Sequence, residues 1–329
     1  MQLLNHFKVA NMRRIILLVI FIVCSLLLNG CYFKEEAVNV SSNTTMVENF
    51  SFYGDPQKMV IKSVPNNVLV CSTTAVDTLI ALGAGQHIKA AVLTEGASRE
   101  KYMKALPNAK IYSHSLQLEA VTEMQPDMII GWRRFFSDIQ LGNSTNWINK
   151  GIPAYIQDAS GPIPSKGKFP RCTVESEINF IRNMGVVFDC RNEAENIIRD
   201  IKNKFVFKES GKKRVRVLVV EFINGSIEVF GSDLLIGDII NRLGGSVVEY
   251  GNPFVSQEVI VSNDADYIFV VYHGGETDKN AAMSNFDKEI YRNMPAVLNK
   301  KIYPLNYNLI VAPAVNLLNS VEYIKSVLK

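Results

Sequence analysis

Two stretches of this chain run through strand and helix in the same order, and that alternation limits the fold more than any other feature. From Val68 the chain reads an apolar run (VLVCS), an amphipathic segment (TAVDTLIALGAG) and a second apolar run (IKAAVL). LEAVTEM at helical spacing and the strand-like DMIIGW follow. Near Arg214 a second pass begins with VRVLVVEF and continues through IEVFG, DLLIGDIINRLGG and SQEVIVSNDADYIFVVY. β-Branched runs separated by helix-period segments predict an α/β protein whose parallel sheets are covered on both faces. The passes also agree in spacing. Asp77 lies six residues before Gly83, and Asp238 six before Gly244; Glu119 lies eight before Asp127, and Glu258 eight before Asp266. A glycine closing a helix and an aspartate before a strand are also ordinary turn chemistry. The spacing therefore fits either two similar lobes or two generic α/β units.

Between the passes, Ile178, Ile181, Met184 and Val187, then Ala194, Ile197, Ile198 and Ile201, fall at steps of three and four. That is helical periodicity with a break near Gly185 to Asp189, and it predicts a stiff connection. The GPIPSKGKFP stretch ahead of it reads as an exposed loop. The expected layout is a first lobe over 61–165, a helical crossover over 166–210 and a second lobe over 211–329.

The first thirty residues follow another plan: a basic patch (Lys8, Arg13, Arg14), the apolar run IILLVIFIVCSLLL, and Leu28-Asn29-Gly30 ahead of Cys31. This is the order of a secretory signal peptide over 1–30, and it is shorter than the roughly 20 apolar residues of a membrane span. Leu-x-Gly before Cys31 looks like a bacterial lipobox, with Cys31 as the lipidated residue. Met12 is an alternative start. Residues 31–60, polar and rich in Ser, Thr and Asn, read as a flexible tether. Removing residues 1–30 takes away three basic and no acidic residues, so the formal charge falls from +3 to 0. A neutral chain without a clustered basic face is a poor match to a nucleic-acid binder. Beyond Cys24 and Cys31, Cys71, Cys172 and Cys190 remain, without C-x-x-C spacing; inert thiols or a Cys172 to Cys190 bridge are both open.

The lipobox, the tether and the motifs STTAVDTLIALGAG, LEAVTEMQPDMIIGW and GNPFVSQEVIVSNDADYIFVV together resemble the periplasmic-binding-protein family that delivers iron complexes and cobalamin to ABC importers. The resemblance covers most of the chain from Val68 onward. It implies two lobes joined by one long helix with the ligand in the cleft between them, a monomer without intrinsic cofactor, and no enzymatic activity. It also implies an ABC permease and its ATPase as partners, an iron chelate as ligand, and a lipid-anchored, extracytoplasmic location, in the periplasm or on the outer cell surface. Glu119 and Glu258 match the positions at which each lobe presents a carboxylate to the permease. Ordinary solvated glutamates at helix N-termini would look the same.

Loops after parallel strands gather at one sheet edge, where open α/β sheets bind ligands. The candidates there are Tyr112 and His114 ahead of Glu119, Trp132 and Arg133 after DMIIG, Phe254 ahead of Glu258, His273 after YIFVVY, and Tyr307 after KKIYPLN. Aromatic walls and arginines suit a large oxygen-rich chelate. A ferric siderophore is the first expectation, with cobalamin and haem as alternatives. In some haem-carrying relatives a tyrosine near Tyr112 ligates iron, which would make His273 its partner. Bare-metal binding would need several convergent ligands, which three scattered histidines do not supply. An enzymatic alternative, a chelatase-like cluster of His114, His273 and Glu276, must be weighed too. No dinucleotide fingerprint, phosphate loop or nucleophile elbow is found; Leu82-Gly83-Ala84-Gly85 is too short.

Overall fold

The computed structural model describes residues 44–328, except 95, 159, 161–171 and 206–213. The signal segment, Cys31 and the Pro/Gly-rich loop lie outside the described residues. The tether assignment needs correcting from Thr45 onward: β1 (Thr45–Phe50) and β2 (Pro56–Ile61) form an antiparallel hairpin. Val47, Met59 and Ile61 turn inward into the core. The Asn49 amide gives and takes one hydrogen bond with the Ile156 backbone, both at 2.9 Å. A polar residue thus does the work of a strand partner, which hid the two-residue period among Ser, Thr and Asn.

The N-terminal lobe continues with β3 (Val68–Cys71), α1 (Thr73–Ala81), β4 (Ile88–Val92), α2 (Arg99–Ala105), β5 (Lys110–Tyr112), α3 (Leu118–Met124), β6 (Met128–Gly131), α4 (Ser144–Asn149) and β7 (Ala154–Ile156). Its sheet is wholly parallel in the order β5-β4-β3-β6-β7. Val68 and Val70 of β3 face one core, Leu69 and Cys71 the other. This is the alternation of a strand covered on both faces.

The C-terminal lobe comprises β8 (Arg216–Ile223), β9 (Ser226–Val229), α7 (Leu235–Arg242), β10 (Ser246–Val247), β11 (Phe254–Val255), α8 (Gln257–Val261), β12 (Tyr267–Tyr272), α9 (Glu276–Met283), α10 (Pro295–Leu298), β13 (Ile302–Asn306) and α11 (Leu317–Val327). Strands β8, β12 and β13 are parallel, β10 adds to the start of β8, and β9 and β11 run antiparallel at the edge. Asn224 and Gly225, at φ 48° and 83°, turn β8 into β9. Asn-Gly is the strongest short hairpin signal a sequence carries, and it adds a mixed edge to the expected parallel sheet.

The repeat is real at the level of hydrogen bonds. Asp127 accepts from the Asn66 and Asn67 N–H groups at 2.7 and 2.9 Å, and Asp266 from the Arg216 N–H at 2.8 Å. Each aspartate starts one strand and ties down the start of its parallel neighbour. Gly83 and Gly244, at φ 75° and 84°, follow α1 and α7 in the left-handed conformation that ends helices.

The crossover is a helical hairpin rather than one long helix. α5 (Val174–Val187) and α6 (Arg191–Lys204) are 14 residues each, parted where the periodicity predicts. Asp238 of the C-terminal lobe accepts from the Val174 N–H at 2.8 Å, while Asn183 donates to Tyr155 of the N-terminal lobe at 2.7 Å. α5 therefore spans both lobes, and α6 returns. Gly185 permits the hairpin, since a Cβ there would lie 2.5 Å from the Ala194 Cβ. One core cluster takes in Val68 and Val70, Val217 and Val219, and Ile178, Ile181, Ile198 and Ile201 of the crossover. A continuous core of this kind resists wide swings of one lobe against the other.

Candidate functional site

The strand ends of the two lobes meet. Thr94 after β4 reaches Asn308 after β13 at 3.4 Å. Gly96, at φ 78°, lies so close to Gly274 that an added Cβ would be 2.6 Å from the Gly274 Cα. Trp132, at the end of β6, places its ring edge-on to Tyr307 at 6.3 Å, and Tyr307 stacks on His273 at 4.2 Å. Sequence reasoning put Trp132, His273 and Tyr307 on separate strand ends of the two lobes, and the fold brings the three into one contact chain across the cleft.

Trp132 is 3% exposed, and its indole N–H is buried without an acceptor among the described residues. The Arg134 guanidinium lies over its ring at 5.0 Å, and that of Arg133 over Phe52 at 5.1 Å. Burial lowers the Arg133 guanidinium from its ordinary value. On the facing side Glu221, with its side chain 9% exposed, sits 2.8 Å from the His273 Nε2. Burial, then the charges of Glu221 and Glu228, push the Tyr307 phenol up, although Arg134 pulls the other way. Tyr307 is thereby held as a neutral hydroxyl that donates and accepts hydrogen bonds.

Tyr112 and His114 form their own edge-on pair at 6.0 Å, with Tyr112 packed on the Trp132 cluster and His114 exposed. His273 itself contacts Tyr307 and Glu221. Phe254 is 52% exposed at the start of β11, opposite Glu228. The chelatase-like cluster is not formed: His273 turns to Glu221, while Glu276 pairs with Lys279 at 3.0 Å. Among the described residues no group of three or more His, Cys, Asp and Glu side chains is placed to hold a metal ion. Cys71 and Cys190 are free thiols, and a free Cys190 decides against a Cys172 to Cys190 bridge. A groove of about 300 Å³ beside Lys58, Asp127 and Pro153 lies at the amino ends of the strands, away from this site.

Glu119 and Glu258 occupy the first turns of α3 and α8, both exposed. The Ser256 side chain and the backbone hold the Glu258 carboxyl below its ordinary range. Sequence reasoning missed Glu221, Glu228 and Arg134. It missed also the buried junction behind the cleft, where Thr74 donates to the Ala312 carbonyl at 2.6 Å, Asn316 donates to Asp77 at 2.8 Å and Glu177 accepts from the Ala314 N–H. Ala312 and Ala314, at φ 44° and 51°, hold the left-handed conformation around Pro313, a strain kept only where surrounding bonds enforce it. Burial pushes Glu177 up to about 8 and Asp158 up to about 7.

The fold and this cleft have clear relatives among solved structures. A periplasmic binding protein from Veillonella parvula is 24% identical, covers 87% of this chain and 91% of its own, and superposes with a TM-score of 0.75. An ABC-type Fe3+-hydroxamate transport system protein from Saccharomonospora viridis is 16% identical, with 86% and 98% covered and a TM-score of 0.68. The petrobactin-binding protein YclQ from Bacillus subtilis is 20% identical, with 87% and 99% covered and a TM-score of 0.65. No curated protein matches this sequence. Among the described residues no helix is long and apolar enough to cross a membrane. The sequence model described as periplasmic binding protein matches residues 68–308, through both lobes and the crossover, and on that match the chain belongs to this family of extracytoplasmic solute-binding proteins rather than to an enzyme family.

Proposed function

We propose that this protein is the lipid-anchored solute receptor of an ABC importer and captures an iron complex, a ferric siderophore, between its lobes. The observation that carries the reading is the contact chain Trp132, Tyr307 and His273 flanked by Arg133 and Arg134. It joins aromatic surface and fixed positive charge where strand ends from both lobes converge. Aromatic burial supplies affinity, and the arginines offset negative charge on chelating oxygens. Tyr112, His114 and Phe254 border the same cleft from their own strand ends. Two of the similar structures are described as handling Fe3+-hydroxamate and petrobactin, which supports the siderophore class. A tyrosinate-ligated haem is disfavoured at Tyr307, whose surroundings oppose its ionisation.

Binding is non-covalent. The shared core and the Gly96 to Gly274 approach suit a modest closing motion, with the chelate entering as Trp132 and Tyr307 part. Glu119 and Glu258 dock the loaded protein on the permease and fix its orientation more than its affinity. Lipidation at Cys31 keeps the protein at the membrane, and the ATPase supplies the energy of transport.

Equilibrium dialysis of the chain lacking residues 1–30 against a ferric hydroxamate, a ferric catecholate, cobalamin and haem tests this reading. Retention of a ferric siderophore at sub-micromolar concentration is expected. Retention of cobalamin or haem alone would overturn the siderophore assignment.

A further inference from the structure

The two walls of the cleft differ in charge, and the difference narrows the ligand. The N-terminal wall carries Trp132, Arg133 and Arg134 after β6. On the C-terminal wall Glu221 lies opposite Glu228 across β8 and β9, and Glu228 opposite Phe254 across β9 and β11. Strand alternation turns this row to the face that holds Val219, because Leu218, Val220, Ile227 and Val229 fill the core on the other face. Like charges directly opposite in an antiparallel pair are destabilising. His273 answers Glu221, but Glu228 has no ion-pair partner among the described residues. Burial and the neighbouring Glu221 raise the Glu228 carboxyl from its ordinary value, against a smaller pull from His273. A hollow of about 300 Å³ opens at Glu221, lined also by Phe222, Tyr272, His273, Asp278 and Asn285; Glu228 lies outside it. On the N-terminal side the Trp132 indole N–H is buried and lacks an acceptor among the described residues. One wall thus asks for oxygen acceptors and the other for a cationic donor.

Resting on the reading of the cleft as an iron-chelate site, we propose that the accepted chelate carries a protonated amine: its oxygen-rich, metal-bearing core lies against Trp132, Arg133 and Arg134, and its ammonium arm sits between Glu221 and Glu228. An ammonium offers three donors and no acceptor. Between two carboxylates it converts their repulsion into charge-assisted hydrogen bonds. A chelate that is anionic all round meets like charge on this wall, which makes the row a device against wrong ligands as well as for the right one.

The test uses matched pairs: ferric desferrioxamine B with its amine free or N-acetylated, and a ferric bis-catecholamide built on a triamine with its central nitrogen free or acetylated. Kd values are measured with the chain lacking residues 1–30. The free amine is expected to bind at least about tenfold more tightly within a pair, the scale of a hydrogen bond to a charged group. In Glu228→Gln that preference is expected to shrink to within about threefold. Equal binding of free and acetylated forms by the wild-type protein would overturn the amine assignment while leaving the iron-chelate reading intact. Binding of neither pair would overturn the iron-chelate reading, and this inference with it. The wild-type comparison stands by itself if the variant fails to fold.

Discussion

The two lobes are built alike and line the cleft differently. In each, an aspartate at the start of a central strand accepts backbone N–H groups from the start of its neighbour, a left-handed glycine follows the first long helix, and one glutamate opens a short exposed helix. Yet the N-terminal lobe turns Trp132 and two arginines to the cleft, and the C-terminal lobe turns Glu221, Glu228, His273 and Tyr307. What repeats holds strands in register; what differs sits on loops and strand ends and, for Glu221 and Glu228, on side chains of the edge hairpin β8 and β9 that can vary without unpairing the sheet. In the function proposed above, the shared part is scaffold and docking surface and the unshared part is ligand recognition.

Charge reversal at the matched glutamates breaks the comparison most sharply. Glu119→Lys and Glu258→Lys together are expected to abolish uptake in cells, each single change to cost a similar share, and chelate affinity to stay within about twofold. A large loss from one single variant and none from the other would mean that the lobes do not dock equivalently.

The junction between the lobes gives the next effect, through pH. Glu177 is raised from 4.5 to about 8 and Asp158 from 3.8 to about 7, burial being the first cause for both. The folded state therefore holds protons that the unfolded chain has released. Stability is fully present below about pH 4 and falls as pH rises toward 8. Urea midpoints across that window are expected to drop by a few kcal/mol in free energy, on the order set by 1.36 kcal/mol per pKa unit. Glu177→Gln is expected to flatten about half of the slope, Asp158 supplying the rest, and an unchanged slope would remove Glu177 as its source.

Removing the register aspartates sharpens the scaffold side. Asp127→Ala gives up two backbone N–H partners and Asp266→Ala one. Losses of about 2 and 1 kcal/mol are expected in chemical denaturation, in that order, with affinity unchanged. The smallest stability effect belongs to Gly96→Ala. Its Cβ would lie 2.6 Å from the Gly274 Cα, so a several-fold weaker Kd is expected beside about 1 kcal/mol from the left-handed backbone. A full Kd with the same melting temperature would show that the two glycines need not approach.

Much of this architecture is legible in the sequence because it rests on periodicity. Val68 to Cys71 and Tyr267 to Val271 read as buried strands, and the threes and fours from Ile178 to Ile201 place both crossover helices and the gap between them. The β1 and β2 hairpin is not legible, because Asn49 replaces an apolar contact with two hydrogen bonds to Ile156. At the site, aromatic residues just past strand ends are visible as such, which is how Trp132, His273 and Tyr307 are found. Glu221 and Glu228 are not: a glutamate within or beside a β-branched run looks like a solvent face, and only the register of β8 on β9 sets the two opposite each other. The junction at Ala312 to Asn316 depends on contacts some 240 residues apart in sequence, such as Asn316 with Asp77, which no local pattern encodes.

The central claim is that the chelate binds where Trp132 meets Tyr307. The chain holds two tryptophans, so Trp147→Phe leaves Trp132 as the sole indole emitter. Titrating that variant with the ferric siderophore retained in dialysis is expected to quench its emission saturably, with a midpoint equal to the dialysis Kd. Retention of the chelate at the same Kd, with Trp132 emission unchanged throughout, would contradict the account and move the ligand away from this cleft.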